Sequence, residues 1–149
     1  MYRRGVALIW HERAFGELSI GELYSIIALR EAVFVVEQNC PYLDADGLDP
    51  ACRHLWAIDG HTIHAYCRIV PAGAKYTETA IGRVIVAAVA RGTGLGKELM
   101  QRAITACGTG PIRIGAQAHL TKFYGDLGFG VSGEPYDEDG ILHVEMIRG

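Results

Sequence analysis

The chain has 149 residues, of which 50% are hydrophobic and 21% charged, a composition typical of a globular protein rather than a disordered one. The formal net charge is −3 with scattered arginines and lysines, which argues against nucleic acid as a partner, because a phosphate backbone needs a concentrated basic surface. Its apolar runs are too short for a signal peptide or for the ~18 residues of a membrane-spanning helix. We therefore expect one cytoplasmic domain over 1–149, without a membrane partner.

Neither the cysteines nor the acidic segment of the chain predicts a disulfide or a metal site. Cys40, Cys52, Cys67 and Cys107 form no Cys-x-x-Cys pair, and their spacing is that of reduced thiols in a cytosolic protein. The segment DADGLD (44–49) resembles part of a calcium-binding loop, but the other ligand positions of such a loop are missing. We therefore expect no metal. The segment could instead be a polar loop that helps to recognise a cationic substrate.

Taken in chain order, the first half predicts a strand, a helix and a hairpin. Ser19-x-x-Glu22 has the spacing of a capping box, and apolar residues at helical spacing follow it. Asp59-Gly60 is typical of the turn that joins two antiparallel strands. These signals place an edge strand at 6–13, a helix at about 20–38, and strands at about 53–59 and 62–70.

The second half predicts strands that alternate with helices. Thr79 to Ala87 is nearly continuous in apolar residues, which favours a strand inside the sheet. The glycine-rich stretch RGTGLG (91–96) opens a helix that ends before Gly108. The remaining elements are strands at 111–117, about 129–134 and about 141–147, a helix at about 119–127 and a turn DEDG at 137–140. This order predicts an α+β fold, a mixed sheet with helices on both faces.

The stretch RGTGLG has the properties of an anion-binding loop. A helix N-terminus offers unpaired N–H groups and a partial positive charge, which suit a phosphate. Gly92, Gly94 and Gly96 remove the side chains that would keep a diphosphate from those amides, and Arg91 and Lys97 flank them. A tight turn that only joins strand to helix is the alternative.

Two common nucleotide-binding loops do not fit this stretch. A Walker A loop needs Ser or Thr after its lysine, whereas Lys97 is followed by Glu98. The dinucleotide fingerprint needs a third glycine where this chain has Lys97 or Leu99. The phosphate ligand therefore belongs to another class.

Two segments in the right order resemble the GNAT superfamily of N-acetyltransferases. Arg91-x-x-Gly94-x-Gly96 after an apolar strand is similar to the superfamily's pyrophosphate-binding motif. Its later Asn-x-x-Ala-x-x-Phe-Tyr-x-x-x-Gly-Phe segment resembles this chain's Gln117-x-x-Leu120-x-x-Phe123-Tyr124-x-x-Leu127-Gly128-Phe129. The replacement of asparagine by glutamine keeps an amide that can bond pantetheine. REAVFVVEQNCPYLDADGLD (30–49) and YDEDGILHVEM (136–146) extend the likeness to the small ElaA-like branch and to nearly the whole chain.

The resemblance implies a GNAT-like fold and acetyl-CoA as cosubstrate. The fold is α+β, a mixed, mostly antiparallel sheet with helices on both faces. The reaction is direct attack by a primary amine, of a small molecule or a peptide, on the thioester. The backbone amides of Val84 to Val86, in the splayed central strand, would stabilise the thioester carbonyl. The implied cofactor-binding residues are Val84, Ile85, Val86, Arg91, Gly92, Thr93, Gly94, Leu95, Gly96, Lys97, Gln117 and Phe123.

The reaction also needs a proton donor for the thiolate and a base for the amine. The resemblance makes Tyr124 the candidate acid, although its apolar helix face would suit a core residue equally. A lysine-like amine, with a pKa of ~10.4, is neutral in only about one molecule in 2,500 at pH 7. Glu37 and His119 are the catalytic candidates for the base; His64, His143 and a water relay are alternatives.

The sequence leaves several alternatives open. Arg68, in an otherwise apolar strand, either forms a structural salt bridge or faces the acceptor pocket. A non-catalytic acyl-CoA-binding or sensing module would keep the glycine loop without needing Tyr124, and succinyl is an alternative acyl group. The acceptor amine, the acyl-chain preference and the oligomeric state, a homodimer included, are not determined by the sequence.

Overall fold

Eight strands and three α-helices are present along residues 7–149, the part of the chain described by a computed structural model. The strands are β1 (Ile9–Ala14), β2 (Arg53–Ile58), β3 (Ile63–Val70), β4 (Thr79–Val86), β5 (Ile112–Gln117), β6 (Gly130–Val131), β7 (Tyr136–Glu138) and β8 (Ile141–Arg148). The α-helices are α1 (Ile20–Arg30), α2 (Leu95–Ala106) and α3 (Thr121–Gly125). The first predicted strand began at residue 6, which lies outside the described residues.

The strands form one mixed sheet in the order β1-β2-β3-β4-β5-β8-β6, and β7 also pairs with β8. β4 and β5 run parallel, whereas the other neighbouring strands are antiparallel. β1 lies at one edge and β4 inside the sheet, as the sequence predicted. The parallel pair needs a crossover, which α2 provides.

Helices cover both faces of the sheet, which confirms the predicted fold class. On one face Ile26 of α1 packs against Trp56, Tyr66 and Ile85 of the sheet. On the other face α2 and α3 bury their apolar sides in a larger core, whose members include Leu55, Cys67, Ile81, Leu95, Leu99, Met100, Ala103, Ile114, Tyr124, Phe129, Val144 and Met146. Alternation along each strand sends successive side chains to opposite layers.

The first helix begins at the predicted capping box. The Ser19 hydroxyl accepts a hydrogen bond of 3.0 Å from the Glu22 amide, and the Glu22 carboxylate accepts one of 2.8 Å from the Ser19 amide. After α1 the chain continues as a π-helix over Glu31–Glu37, so that helical structure ends one residue before the predicted end. Single π-wound turns are frequent at functional sites, and this one borders the cleft described below.

The centre of the sheet is interrupted between β4 and β5. Only Thr79 with Ile112 and Ala80 with Arg113 pair across the two strands. Farther along β4 its pairing with β3 shifts register, and Arg83 has a left-handed φ of +52°. A bulge of this kind bends a strand, and here β4 diverges from β5 and leaves an opening.

The last third of the chain differs from the prediction in detail. The acidic turn predicted at 137–140 is wrong in its first half, because Tyr136–Glu138 is strand β7. β7 lies at the sheet margin with mostly exposed side chains, so no apolar alternation marks it. The strand predicted at 129–134 shortens to Gly130–Val131, and the helix predicted at 119–127 divides into a 3-10 turn (Ala118–Leu120) and α3.

The cysteines and the acidic residues are part of the packing of the fold. All four cysteines carry free thiols, and Cys40, Cys52 and Cys67 are buried. Within residues 7–149, no three side chains of His, Cys, Asp or Glu are grouped so that they could hold a metal ion. The helices in this part of the chain lack the length and apolar content needed to cross a bilayer.

Candidate active site

A cleft of about 700 Å³ opens where β4 and β5 separate. The π-helical segment, β4, the glycine-rich loop, β5, the turn before α3, α3 itself and the β7–β8 hairpin form its walls. Residues singled out from the sequence that line it are Glu37, Val84, Ile85, Val86, Arg91, Gly92, Gly94, Gly96, Lys97, Gln117, His119, Phe123, Tyr124 and His143. Thr93 and Leu95 belong to the same loop but do not line the cleft, since Leu95 is buried and the Thr93 hydroxyl bonds the Ala90 carbonyl.

The glycine-rich loop has a conformation that requires glycine at two positions. Gly92 has φ +77° and Gly94 has φ +88°, and a β-carbon at either would meet nothing within 4 Å. Positive φ explains these glycines by backbone geometry, and the open space above them leaves room for a ligand. Gly96 has a different role, because a β-carbon there would lie 3.3 Å from Cγ2 of Val86, so glycine brings α2 close to β4.

A helix N-terminus and two cationic side chains lie at this loop. Gly94 is the N-terminal cap of α2, whose first backbone N–H groups have no partner within the helix. Arg91 donates from Nε to the Val86 carbonyl at 2.9 Å, and its Nη2 lies 2.9 Å from Glu37 Oε2. Lys97 is exposed in the first turn. A helix terminus beside an arginine and a lysine has the properties that suit a phosphate-bearing ligand.

Tyr124 lies at the inner end of the cleft with its ring in the core. The ring packs edge-on against Phe123 and Phe129, and 7% of the residue is exposed. Burial, with a contribution from the Cys67 thiol, raises the pKa of Tyr124 to about 12. No protein partner for the Tyr124 hydroxyl occurs among residues 7–149. The hydroxyl is therefore protonated at neutral pH and available to a ligand.

The candidate bases differ in their surroundings. Glu37 is exposed and ion-paired with Arg91, and His119 is exposed on the 3-10 turn. His143 is buried and lines the cleft between β5 and the β7–β8 hairpin. His64 lies outside the cleft lining and bonds Asp59 Oδ2 through Nε2 at 2.9 Å.

The acidic segment DADGLD takes part in a buried charge network. Sequence reasoning left a structural salt bridge of Arg68 open but did not identify its partners. Asp49 Oδ1 accepts from Arg30 Nη1 at 2.7 Å and from Arg68 Nη1 at 2.9 Å. Burial alone would raise the pKa of Asp49, but hydrogen bonds from the two arginines outweigh it and lower the pKa. Arg68 also holds Asp46 through two bonds of 2.6 and 2.8 Å. Arg68 is thus a structural ion-pair residue and does not line the cleft.

The same network anchors the segment to the bulged part of β4. Asp44 Oδ2 accepts from Arg30 Nε at 2.7 Å, while its Oδ1 accepts from Arg83 Nε at 2.8 Å. These carboxylates are engaged by arginines, so the segment has no carboxylate left to recognise a cationic substrate. The sequence did contain a signal for this network, because arginines interrupt the apolar runs of α1, β3 and β4. A charge in a buried element needs a partner of opposite charge.

Comparison with known proteins agrees with this geometry. The sequence model of the acetyltransferase (GNAT) domain matches residues 55–148. The protein ElaA of Escherichia coli K12 is 42% identical over 145 residues, covering 93% of this chain and 95% of ElaA. The crystal structure of E. coli ElaA superposes with a TM-score of 0.91 at 40% identity, over 96% of this chain and 100% of that chain. An acyl-CoA N-acyltransferase from Pseudomonas aeruginosa superposes with a TM-score of 0.90, also at 40% identity and with the same coverage.

The chain therefore belongs to the GNAT acetyltransferase family and, within it, to the ElaA-like branch. Enzymes of this family transfer acyl groups from acyl-CoA. The protein is accordingly an acyltransferase with the GNAT-like fold that the sequence predicted.

Proposed function

We propose that the protein is an acetyl-CoA-dependent N-acetyltransferase that moves the acetyl group to a primary amine of a small molecule or peptide by direct attack. One observation carries the proposal: the split between β4 and β5, the glycine-rich loop and the Tyr124 hydroxyl line the same cleft. A phosphate site, exposed strand edges and a proton donor are the parts that this transfer needs. Residues 1–149 act as a single catalytic domain.

In this proposal the diphosphate of acetyl-CoA binds the backbone amides at 92–97. Gly92, Thr93, Gly94, Leu95 and Gly96 contribute main-chain groups, and the open space above Gly92 and Gly94 admits the ligand. The side chains of Arg91 and Lys97 neutralise its charge. Glu37 fits this arrangement as the carboxylate that holds Arg91 in place at 2.9 Å.

The pantetheine arm and the acyl group occupy the split in the sheet. Gln117 and Phe123 line this part of the cleft, the first with an amide and the second with an apolar surface. Backbone amides of the Val84–Val86 stretch, which includes Ile85, stabilise the charge that develops on the thioester oxygen. Because these donors are main-chain groups, substitution of those side chains would have little effect on that role.

Tyr124 supplies the proton for the departing thiolate. Its pKa of about 12 keeps the hydroxyl protonated at neutral pH. The hydroxyl has no protein partner among residues 7–149. Glu37 and His119 line the cleft as candidates for the base that neutralises the amine.

A non-catalytic acyl-CoA-binding or sensing module is the alternative function. Such a module would retain the glycine-rich loop, but it would gain nothing from a partnerless hydroxyl at the inner end of the cleft. The Tyr124 environment therefore favours catalysis.

The test is a thiol-release assay with acetyl-CoA and a panel of primary amines that includes Nα-acetyl-lysine amide, glycinamide and spermidine. We expect free CoA to be released at a rate that depends on one class of amine. Mass spectrometry should detect the acetylated form of that amine. Tight acetyl-CoA binding by calorimetry without amine-dependent CoA release would favour the sensing module.

A further inference from the structure

The imidazole ring of His143 is held in one orientation by its neighbours. Its Nδ1 lies 2.7 Å from the carbonyl oxygen of Ile141. The ring stacks on Tyr136 at 5.9 Å between centroids and 27° between planes. Its Nε2 lies 3.5 Å from Glu138 Oε2, and the residue is 8% exposed. A ring bonded at Nδ1 and stacked on one face is preorganised rather than free to rotate.

The contact with Ile141 determines which nitrogen carries the proton. A carbonyl oxygen only accepts hydrogen bonds, so Nδ1 must donate to it. In the neutral ring Nε2 therefore has the lone pair, because neutral imidazole carries one N–H. The nitrogen that can accept a proton is thus the one on the side of Glu138.

His143 and Tyr124 reach the cleft from opposite faces of the sheet. On β8 the neighbouring Val144 packs in the same core as Tyr124. Alternation along a strand turns His143 to the other face. His143 is the direct partner of Gln117 on β5, the strand that borders the split. A thioester in the split would therefore have the proton donor on one side and the Nε2 lone pair on the other.

The other two candidate bases that line the cleft lack this preorganisation. Glu37 is exposed, and its carboxylate is already engaged in the ion pair of 2.9 Å with Arg91. His119 is exposed, and no hydrogen bond restrains its ring among residues 7–149. Of the three, His143 has both a fixed tautomer and a position at the split.

We propose that Nε2 of His143 is the general base of the reaction, an inference that rests on the proposed function. The ammonium form of the acceptor gives one proton to Nε2, and the free amine attacks the thioester carbonyl. The C–N bond forms, the C–S bond breaks, and the thiolate takes its proton from Tyr124. The nitrogen loses its second proton to solvent, from which Tyr124 is reprotonated, and His143 later releases its proton. The balance is one amide, one CoA thiol and one released proton.

The groups around His143 suit this role. Tyr136 and Glu138 are the titratable side chains that face the ring from β7, and β5 contributes the non-titrating amide of Gln117. The Glu138 carboxylate attracts the positive charge that the ring acquires. Its side chain is 57% exposed, so solvent screens this attraction.

The test replaces His143 by asparagine, whose amide N–H can keep the bond to Ile141 while the basic nitrogen is lost. The probe is Nα-acetyl-lysine amide or, if wild type does not use it, the alkylamine of the panel with the highest turnover. We expect kcat/KM at pH 7 to fall by about 10²-fold, and the deficit to shrink as pH rises towards ~10, where the amine loses its proton unaided. Acetyl-CoA affinity and melting temperature should stay near wild type. His61→Asn, in the exposed β2–β3 turn, is the matched control and should change none of these values.

Three kinetic results would overturn the inference. The first is unchanged kcat/KM in folded His143→Asn, and the second is a deficit that stays constant with pH. The third is that Glu37→Gln or His119→Gln, and not His143→Asn, shows the deficit in kcat/KM that shrinks as pH rises. Nitrogen-15 NMR of labelled histidine in the free enzyme provides a readout without substrate, and a neutral His143 ring protonated at Nε2 would also overturn it. A wild-type protein that acetylates no amine would overturn the proposed function, and this inference with it.

Discussion

Asp49 and Arg30, 19 residues apart in the chain, are joined by a hydrogen bond of 2.7 Å between side chains that are 8% and 0% exposed. Arg68 contacts the same carboxylate oxygen at 2.9 Å. One carboxylate thus links α1, the segment before β2, and β3. Buried charges of this kind are stable only while every partner is present.

Removing the charge of Asp49 should therefore destabilise the fold strongly. We expect Asp49→Asn to lower the free energy of unfolding by about 3–5 kcal/mol, because it leaves two buried guanidinium groups undercompensated. Urea unfolding followed by circular dichroism measures this loss. Asp126→Asn is the control, since its ion pair with Lys122 is exposed and should contribute little. A loss for Asp49→Asn no larger than that of the control would contradict the role of the network.

Acid should weaken the same network. Hydrogen bonds from Arg68 lower the pKa of Asp46, and those from Arg30 and Arg68 lower the pKa of Asp49 against the effect of burial. In the unfolded chain an aspartate titrates near ~3.9, so below about pH 5 the unfolded state binds protons first. The contribution of this network to the free energy of unfolding should be complete above this range and fall as pH decreases through it. Asp46→Asn should make that fall shallower, and equal slopes in variant and wild type would count against the assignment.

Two substitutions of Gly94 separate backbone strain from obstruction of the ligand. At φ +88° asparagine is tolerated far better than valine, while both add a side chain to the open space above the loop. We expect Gly94→Asn to lower the melting temperature much less than Gly94→Val does, but to weaken acetyl-CoA binding at least about ten-fold, or ~1.4 kcal/mol. Gly94→Val should reduce both the melting temperature and the affinity for acetyl-CoA. Calorimetry with acetylpantetheine, which lacks the diphosphate, should show little change for Gly94→Asn. Full acetyl-CoA affinity in that variant would remove the loop from the binding site.

Tyr124→Phe keeps the ring and its packing but removes the proton donor. We expect kcat to fall by about 10²-fold when chemistry limits the rate. Melting temperature and cofactor affinity should change little, since the hydroxyl has no protein partner among residues 7–149. With a pKa of about 12, wild type should show no alkaline loss of activity from this group below about pH 10. Tyr24→Phe, at an exposed position of α1, is the control. Unchanged turnover in folded Tyr124→Phe would exclude it from the mechanism.

Structural features that depend on a short stretch of chain were predicted well from the sequence. The capping box at Ser19, the Asp59-Gly60 hairpin and the glycine-rich loop each depend on neighbouring residues, and each lies where it was expected. The family resemblance added the split between β4 and β5, which no local pattern signals.

Features that depend on distant partners were missed. The role of the aspartates at 44–49 depends on arginines 14 to 39 residues away, and nothing in their own spacing indicates those contacts. Strand β7 exists because β8 offers it an edge, not because its own side chains alternate. The tautomer of His143 follows from a backbone carbonyl two residues away, which only the hairpin geometry reveals.

The short seam between β4 and β5 has a mechanical consequence. A sheet resists shear through its ladder of hydrogen bonds, and in the middle of this sheet two residue pairs join the parallel strands β4 and β5. The line of least stiffness therefore runs through the cleft itself, between β1–β4 on one side and β5–β8 on the other. A molecule that binds across the cleft therefore also connects the two halves of the sheet. Ligand binding should stiffen the sheet, because both depend on the short stretch of backbone where β4 and β5 separate.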